Sequence, residues 1–403
     1  MRGSLGTGVA VVARAGGSLL LNKLVALYGG PGGLTQLAQF QNLMALFGAV
    51  PADGVLVGAT TRLAPLRPGS GRYRAWLGGA LALTVALVGL ASAVLLATGG
   101  AAWPVGRVAI FTLGMLLIIT QGLLSTALLA AGRRRPYVQQ AVWLSLLGTA
   151  AVAGALAAGW PLPRVLLAYV GGQALALPLA GWAAARAGLL GGWQWRRPPS
   201  SPALRGLLRF AAMAVGGLLF GRAVDYAVRA WLLAHLGPAR TDLWQAVAKL
   251  SDSYSLVVGA VLSTVFYPRL AALAAQPAQA GRYLRAVLGL LAAGLAGGLG
   301  LVYALRDVLL PLLFSPRLAA ARYLLAPQLL GDWAKFLSWI FLYQVLARAR
   351  PLPYLAVQAG SALLYVALLG GLLPAYGLAG MVLAHAARYG VILASCLAFH
   401  KWK

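Results

Sequence analysis

Apolar residues run through this chain in long stretches, separated by short breaks rich in Gly, Pro and Arg. A hydrocarbon core about 30 Å thick takes about 20 helical residues to cross. Twelve stretches reach or approach that length: 8–28, 34–60, 75–98, 107–131, 137–158, 165–186, 206–236, 243–268, 283–304, 323–346, 353–371 and 378–399. No strand-like alternation runs through them, and lipid offers backbone groups no partners, so the pattern predicts helices and an all-α polytopic membrane protein. Two places strain it. The second stretch is interrupted at Pro51-Ala52-Asp53-Gly54, and the short segment 308–314 could dip into the membrane surface. The first stretch continues through Arg14, Asn22 and Lys23 without a small-residue cleavage site, so it reads as a span rather than a leader.

Composition excludes an ordinary soluble fold. Of 403 residues, 61% are hydrophobic and 10% charged, too few charges to coat two or three soluble domains. The formal net charge of +27 would suggest nucleic acid on a soluble protein. Here the basic residues punctuate apolar runs, which excludes that partner. With a cytoplasmic N-terminus, inner loops and ends hold 20 Lys/Arg and outer ones 6. This is the positive-inside pattern, and it predicts both termini on the cytoplasmic side of the membrane. The single cysteine, Cys396, excludes an intramolecular disulfide and any cysteine-based metal site.

The chain also repeats. Residues 24–43 align without gaps to 231–250, an offset of 207, matching Gly30-Pro31 to Gly237-Pro238 between a first and a second span. Six spans per half start each half on the same side, which makes the repeat parallel. The expected organisation is an N-lobe at 1–187, a cytoplasmic linker at 188–205 bearing Trp193, Trp195 and Pro198-Pro199, and a C-lobe at 206–403, around a central cavity.

Seven basic residues remain inside spans, Arg14, Lys23, Arg222, Arg229, Lys249, Lys335 and Arg388, together with four acids, Asp53, Asp225, Asp252 and Asp332. Each charge at a helix centre costs at least ~2.5–3.5 kcal/mol in lipid, so these should face water or one another. Arg222, Asp225 and Arg229 fall within about 60° of arc on a straight helix, and Lys249/Asp252 and Asp332/Lys335 have i, i+3 spacing for pairing. Arg14 and Lys23 lie about 180° apart on a straight helix, so both line one chamber only if Gly16-Gly17 bends the span. The set sums to +3, a field suited to an anion, with Arg able to bind phosphate bidentately. Ion pairs that merely fix helix register remain the alternative. Gln39, Trp244, Gln245 and Tyr254 suit sugar hydroxyls and faces, and equally helix-to-helix hydrogen bonds. His235 and His385 read as packing residues.

Asn22-Lys23-Leu24, Gly30-Pro31-x-Gly33-Leu34, Trp244-Gln245…Ser251-Asp252-x-Tyr254, Arg306-Asp307 and Gln328-Leu329-x-Gly331-Asp332-x-x-Lys335 together resemble the Wzx-type translocases of O-antigen and enterobacterial common antigen. The resemblance implies the multidrug/oligosaccharidyl-lipid/polysaccharide exporter superfamily, with two six-helix lobes, alternating access and no cofactor. It also implies undecaprenyl diphosphate carrying a short oligosaccharide as substrate, flipped from the inner to the outer leaflet. On this expectation Arg14, Lys23, Arg222, Arg229, Lys249 and Arg388 hold the diphosphate, and Asp53, Asp225, Asp252, Asp332 and Lys335 form coupling or gating ion pairs. Proton or sodium coupling, and association with a polysaccharide polymerase and chain-length regulator, stay open. Two other readings compete: a cation-coupled multidrug exporter, which would favour an acidic cavity, and a membrane-embedded glycosyltransferase or polymerase. The latter needs loop carboxylates in pairs, whereas the loops hold only Asp242 and Asp307, far apart in sequence.

Overall fold

The computed structural model describes residues 2–100, 103–191, 201–266, 269–270, 273, 276–347 and 351–399. Within them the side chains of 2–14, 213, 217, 264, 277, 345–347, 351–354 and 399 lie outside the description.

Across their described residues, all twelve apolar stretches are built mainly of helix. The helices are α1 (Arg2–Tyr28), α2 and α3 (Gly33–Val50 and Val57–Leu63), α4 (Gly71–Thr98), α5 (Val105–Ala130), α6 (Arg134–Ala157), and α7 and α8 (Leu162–Ala174 and Ala176–Arg186). There follow α9 and α10 (Ser201–Gly217 and Val224–Leu236), α11 (Pro238–Val261), α12 (Pro277–Ala304), α13 (Arg306–Leu313), α14 (Leu325–Ala347), α15 (Pro351–Tyr376) and α16 (Leu378–Phe399). Among the described residues, nine helical stretches are long and apolar enough to cross a membrane. The remaining three of the twelve rods, α1, α11 and α14, carry Lys23, Lys249 with Asp252, and Asp332 with Lys335.

Pro51 does not break the second rod. The chain widens into a π-helical turn at Pro51–Leu56 and continues as α3. Proline has no amide hydrogen to give, and a wider turn shifts the hydrogen-bond register where that donor is missing. Similar turns at Leu218–Ala223 and Leu262–Phe266 interrupt the seventh and eighth rods. Segment 308–314 forms most of the short helix α13 rather than a span, and leads into a 3-10 stretch at Pro316–Leu324. Gly16-Gly17 lies inside an unbroken α1, with the Gly17 carbonyl accepting from Thr149 Oγ1 at 3.3 Å.

Two compact units emerge: one of Met1–Leu24 with Leu37–Arg229, the other of Val25–Gln36 with Ala230–Lys403. The first unit runs on through α9 to Arg229, and residues 25–36 belong to the second. Leu207 and Ala211 of α9 bury themselves in the first unit's core beside Val55, Ala59, Leu77 and Leu123, so α9 stays with the N-terminal helices. The second unit's core is built by Leu262, Phe266, Leu284, Leu337, Ile340 and Leu393, from α11's end, α12, α14 and α16. The expected linker's Trp193, Trp195, Pro198 and Pro199 lie outside the described residues.

Residues 25–36 join the second unit through hydrogen bonds. Asp242 Oδ2 accepts from the Gly32 amide at 2.7 Å, and Oδ1 accepts from both the Thr35 amide at 2.7 Å and its hydroxyl at 2.5 Å. The carboxylate thereby satisfies donors at the open end of α2, a capping role supplied from a distant segment. Thr35 and Asp242 are 207 residues apart, the offset of the sequence repeat. Gly30 and Gly237 occupy equivalent turns with φ of +76° and +73°, a conformation that side chains with a Cβ rarely adopt. The repeat is therefore a repeat of backbone geometry as well as of pattern.

Candidate functional site

The densest polar assembly among the described residues surrounds Asp332, in the second unit. Its carboxylate is wholly buried. Oδ1 receives Lys335 Nζ at 2.8 Å, one helical turn along α14, and lies 3.0 Å from His385 Nε2 on α16. Oδ2 accepts from Ser251 Oγ at 2.7 Å, from Gln328 Nε2 at 3.2 Å and from the Tyr254 hydroxyl. Lys335 also reaches Ser255 Oγ at 3.0 Å, and its ammonium lies 4.7 Å from the Phe336 ring centroid. An ion removed from water is tolerable only with this degree of hydrogen bonding.

Local sequence explains how the parts meet. Gln328, Asp332 and Lys335 lie at i, i+4 and i+7 on one face of α14, and Ser251, Tyr254 and Ser255 at i, i+3 and i+4 on one face of α11. Gly331 lets α16 approach, since a Cβ there would stand 2.9 Å from the Ala386 Cα and would also run into His385. The Gly-Asp pair thus couples a close helix contact to the acid that uses it. A carboxylate can only accept, so His385 donates from Nε2; in the neutral ring Nδ1 is left as an acceptor. One turn on, Arg388 Nε donates to Ser361 Oγ at 2.7 Å, and its guanidinium sits 4.9 Å and 5.0 Å from the Tyr365 and Tyr389 ring centroids.

The other expected site residues divide by environment. Asp53 and Arg222 are exposed, each on a π-helical turn of the first unit, and Arg222 is close enough to act electrostatically on Asp53. The stripe expected of Arg222, Asp225 and Arg229 is split: Asp225 is exposed while Arg229 is buried. Asp252 is exposed; Lys23, Lys249 and Gln39 are half-buried. Arg14 lies on α1, with its side chain outside the described ones.

Three of the four residues expected to face sugars are engaged within the protein. Trp244 and Gln245 are buried, and Tyr254 spends its hydroxyl on Asp332. His385, read as a packing residue, belongs to the cluster instead. Its partner lies 53 residues away on another helix, so no local spacing could reveal it. Asp242, counted as a loop acid, is buried; burial pushes its carboxyl above the ordinary range, and the Thr35 hydroxyl with the Thr35 and Gly32 amides draws it part of the way back.

Arranged this way, the helices have the fold of transporters of the multidrug/oligosaccharidyl-lipid/polysaccharide class. The solved structure of the lipid II flippase MurJ in its inward closed conformation aligns with 98% of this chain and 86% of its own, at TM-score 0.69 and 12% identity. An inward-facing multidrug resistance MATE family transporter of the MOP superfamily aligns with 96% of this chain and 93% of its own, at TM-score 0.67 and 12% identity. In sequence, the lipid III flippases of Escherichia coli (strain K12) and Shigella flexneri are each 26% identical to this chain over 419 residues, spanning 98% of it and 96% of theirs. No family model matches the chain. Each of these relatives is a flippase or a transporter by name, none an enzyme.

Proposed function

We propose that this protein is a Wzx-type flippase of the bacterial inner membrane, moving polyprenyl-diphosphate-linked oligosaccharide to the outer leaflet by alternating access. The observation that carries the reading is the end-to-end sequence similarity to lipid III flippases, spanning 98% of the chain. The cationic excess inside the spans agrees with an anionic head group. In this proposal Arg14, Lys23, Arg222, Arg229, Lys249 and Arg388 attract the diphosphate, with Gln39 toward the sugars. The polyprenyl tail stays in lipid. Both termini face the cytoplasm, as the 20 to 6 loop asymmetry suggests. An anion leaving an inside-negative cell gains ~2.3 kcal/mol per charge per 100 mV, which would assist export.

Asp332 and His385 offer a second source of coupling. Protonating either would weaken or rearrange the bonds that tie α11, α14 and α16 together, giving a proton a mechanical consequence. Sodium would need open carboxylate oxygens, and both oxygens of Asp332 are already engaged. In this arrangement Asp332 has no oxygen open to a sodium ion.

Reconstituted flipping in proteoliposomes decides the matter. Fluorescent polyprenyl-diphosphate oligosaccharide should become accessible to an outside reagent with wild-type protein and not with Arg222→Glu or Arg388→Glu, which should still insert. Wild-type rates in both variants would remove the cationic docking. Drug resistance conferred on an exporter-deficient strain, without lipid flipping, would favour the multidrug reading that the MATE-like fold also permits.

A further inference from the structure

Outside the Asp332 cluster, one feature of the second unit has the composition of a ligand site. A groove of about 490 Å³ opens between α12 and α14, lined by Ala296, Gly300 and Tyr303 on one side and Leu329, Leu330 and Trp333 on the other. No lining residue is charged. Trp333 turns its one polar atom away, donating from Nε1 to the Ala292 carbonyl at 3.0 Å. The most apolar window of α12 has only 6% of its residues buried, so this helix presents itself to lipid along its length.

A cation cluster sits at one end of the groove. The Arg306 guanidinium lies 4.2 Å from the ring centroid of Tyr303, a groove residue, and its Nη1 donates to the Tyr303 carbonyl at 2.8 Å. Its Nε is 3.9 Å from Asp307 Oδ2, while Arg322 Nη1 approaches Asp307 Oδ1 at 3.5 Å. Two arginines thus share one carboxylate and leave one positive charge spare at the groove's mouth. All three side chains reach solvent, with 29%, 54% and 66% exposure for Arg306, Asp307 and Arg322.

We propose that this groove binds a membrane phospholipid, one acyl chain lying against Gly300, Leu329 and Trp333 and the phosphodiester resting between Arg306 and Arg322. Apolar wall and cationic mouth stand in the order of a lipid's own tail and head. A single spare charge matches the single charge of a phosphodiester; the additional charge of a diphosphate would be set against Asp307. The bound lipid is therefore an anionic glycerophospholipid rather than the flipped substrate. Stacking on Tyr303 and the bond to its carbonyl hold the Arg306 fork in place beforehand, which lowers the entropy cost of receiving the head group. The inference needs only that α12 spans the membrane, and stands apart from the flippase reading.

Native mass spectrometry of the full-length protein in detergent tests it, with phosphatidylglycerol, phosphatidylethanolamine and undecaprenyl phosphate as probes. Wild-type protein should retain one phosphatidylglycerol preferentially. Gly300→Phe fills the groove without disturbing α12, because a Cβ at Gly300 meets nothing within 4 Å. It should lose that lipid, and Arg306→Ala/Arg322→Ala should weaken phosphatidylglycerol by roughly tenfold or more while sparing phosphatidylethanolamine. A photoreactive acyl chain should crosslink to 296–303 and 326–333. Unchanged phosphatidylglycerol retention in both variants, or crosslinks confined to other helices, overturns the site. One-for-one displacement by undecaprenyl phosphate overturns the choice of occupant. None of these results bears on whether oligosaccharide is flipped.

Discussion

Two aspartates within apolar rods of this protein live under opposite conditions. Asp332 is wholly buried and both its oxygens are occupied, by Lys335, His385, Ser251, Tyr254 and Gln328. Asp53 is exposed on a π-helical turn, with Arg222 acting on it from another such turn. The same residue type, placed where carboxylates are costly, is accommodated in one case by enclosing it in donors and in the other by leaving it open. Enclosure makes an acid part of the helix packing, so its charge state and the packing cannot change separately. Openness makes an acid available to something that comes and goes.

Substitutions should separate these roles. Asp332→Ala would strand Lys335 and His385 without their anion, and removing one partner of a buried pair costs about 3–5 kcal/mol. The variant should lose its thermal transition in detergent or unfold at markedly lower temperature; a melting curve like that of the wild type would break the contrast outright. Next in size, Asp332→Asn and Lys335→Met should each destabilise, and the double variant by less than their sum, with a coupling of about 0.5–3 kcal/mol. Additive effects in that cycle would mean the two groups do not sense each other. Asp53→Asn should move stability by no more than ~0.5 kcal/mol, yet slow flipping in proteoliposomes. Arg222→Asp combined with Asp53→Arg should recover part of the rate if the two π-helical turns act as a pair.

Asp242 sharpens the comparison, being buried but ahead of its span rather than within it. Its carboxyl is raised by burial, so the folded protein holds that proton more firmly than the unfolded chain. The associated stability is present at acid pH and declines as pH rises through the window from about 4 upward. Wild-type melting temperature should fall slightly across that window relative to Asp242→Asn, the smallest of these effects; identical pH profiles would show that hydrogen bonds from Thr35 and Gly32 cancel the burial.

Much of the architecture was legible along the chain because membrane helices announce themselves by length and apolarity, and the Asp332–Lys335 pair because helical spacing is local. The repeat offset even placed Thr35 opposite Asp242, although nothing in the alignment required those two positions to touch. What escaped depended on distance in sequence or on small changes of helical pitch. His385 meets Asp332 only because Gly331 admits α16. Pro51 reads as a break unless the turn can widen, as it does at Pro51–Leu56. The grouping of α9 with the N-terminal helices rests on Leu207 and Ala211 finding room in a core whose shape no single segment encodes.

The bond between Thr35 and Asp242 joins corresponding positions of two related halves, and it works only because they are unlike. Two aspartates there would repel, and two threonines would leave the Gly32 amide without its carboxylate. A junction between identical halves would have to close differently, so the acid on one side and the alcohol on the other mark a point where the two related segments have diverged.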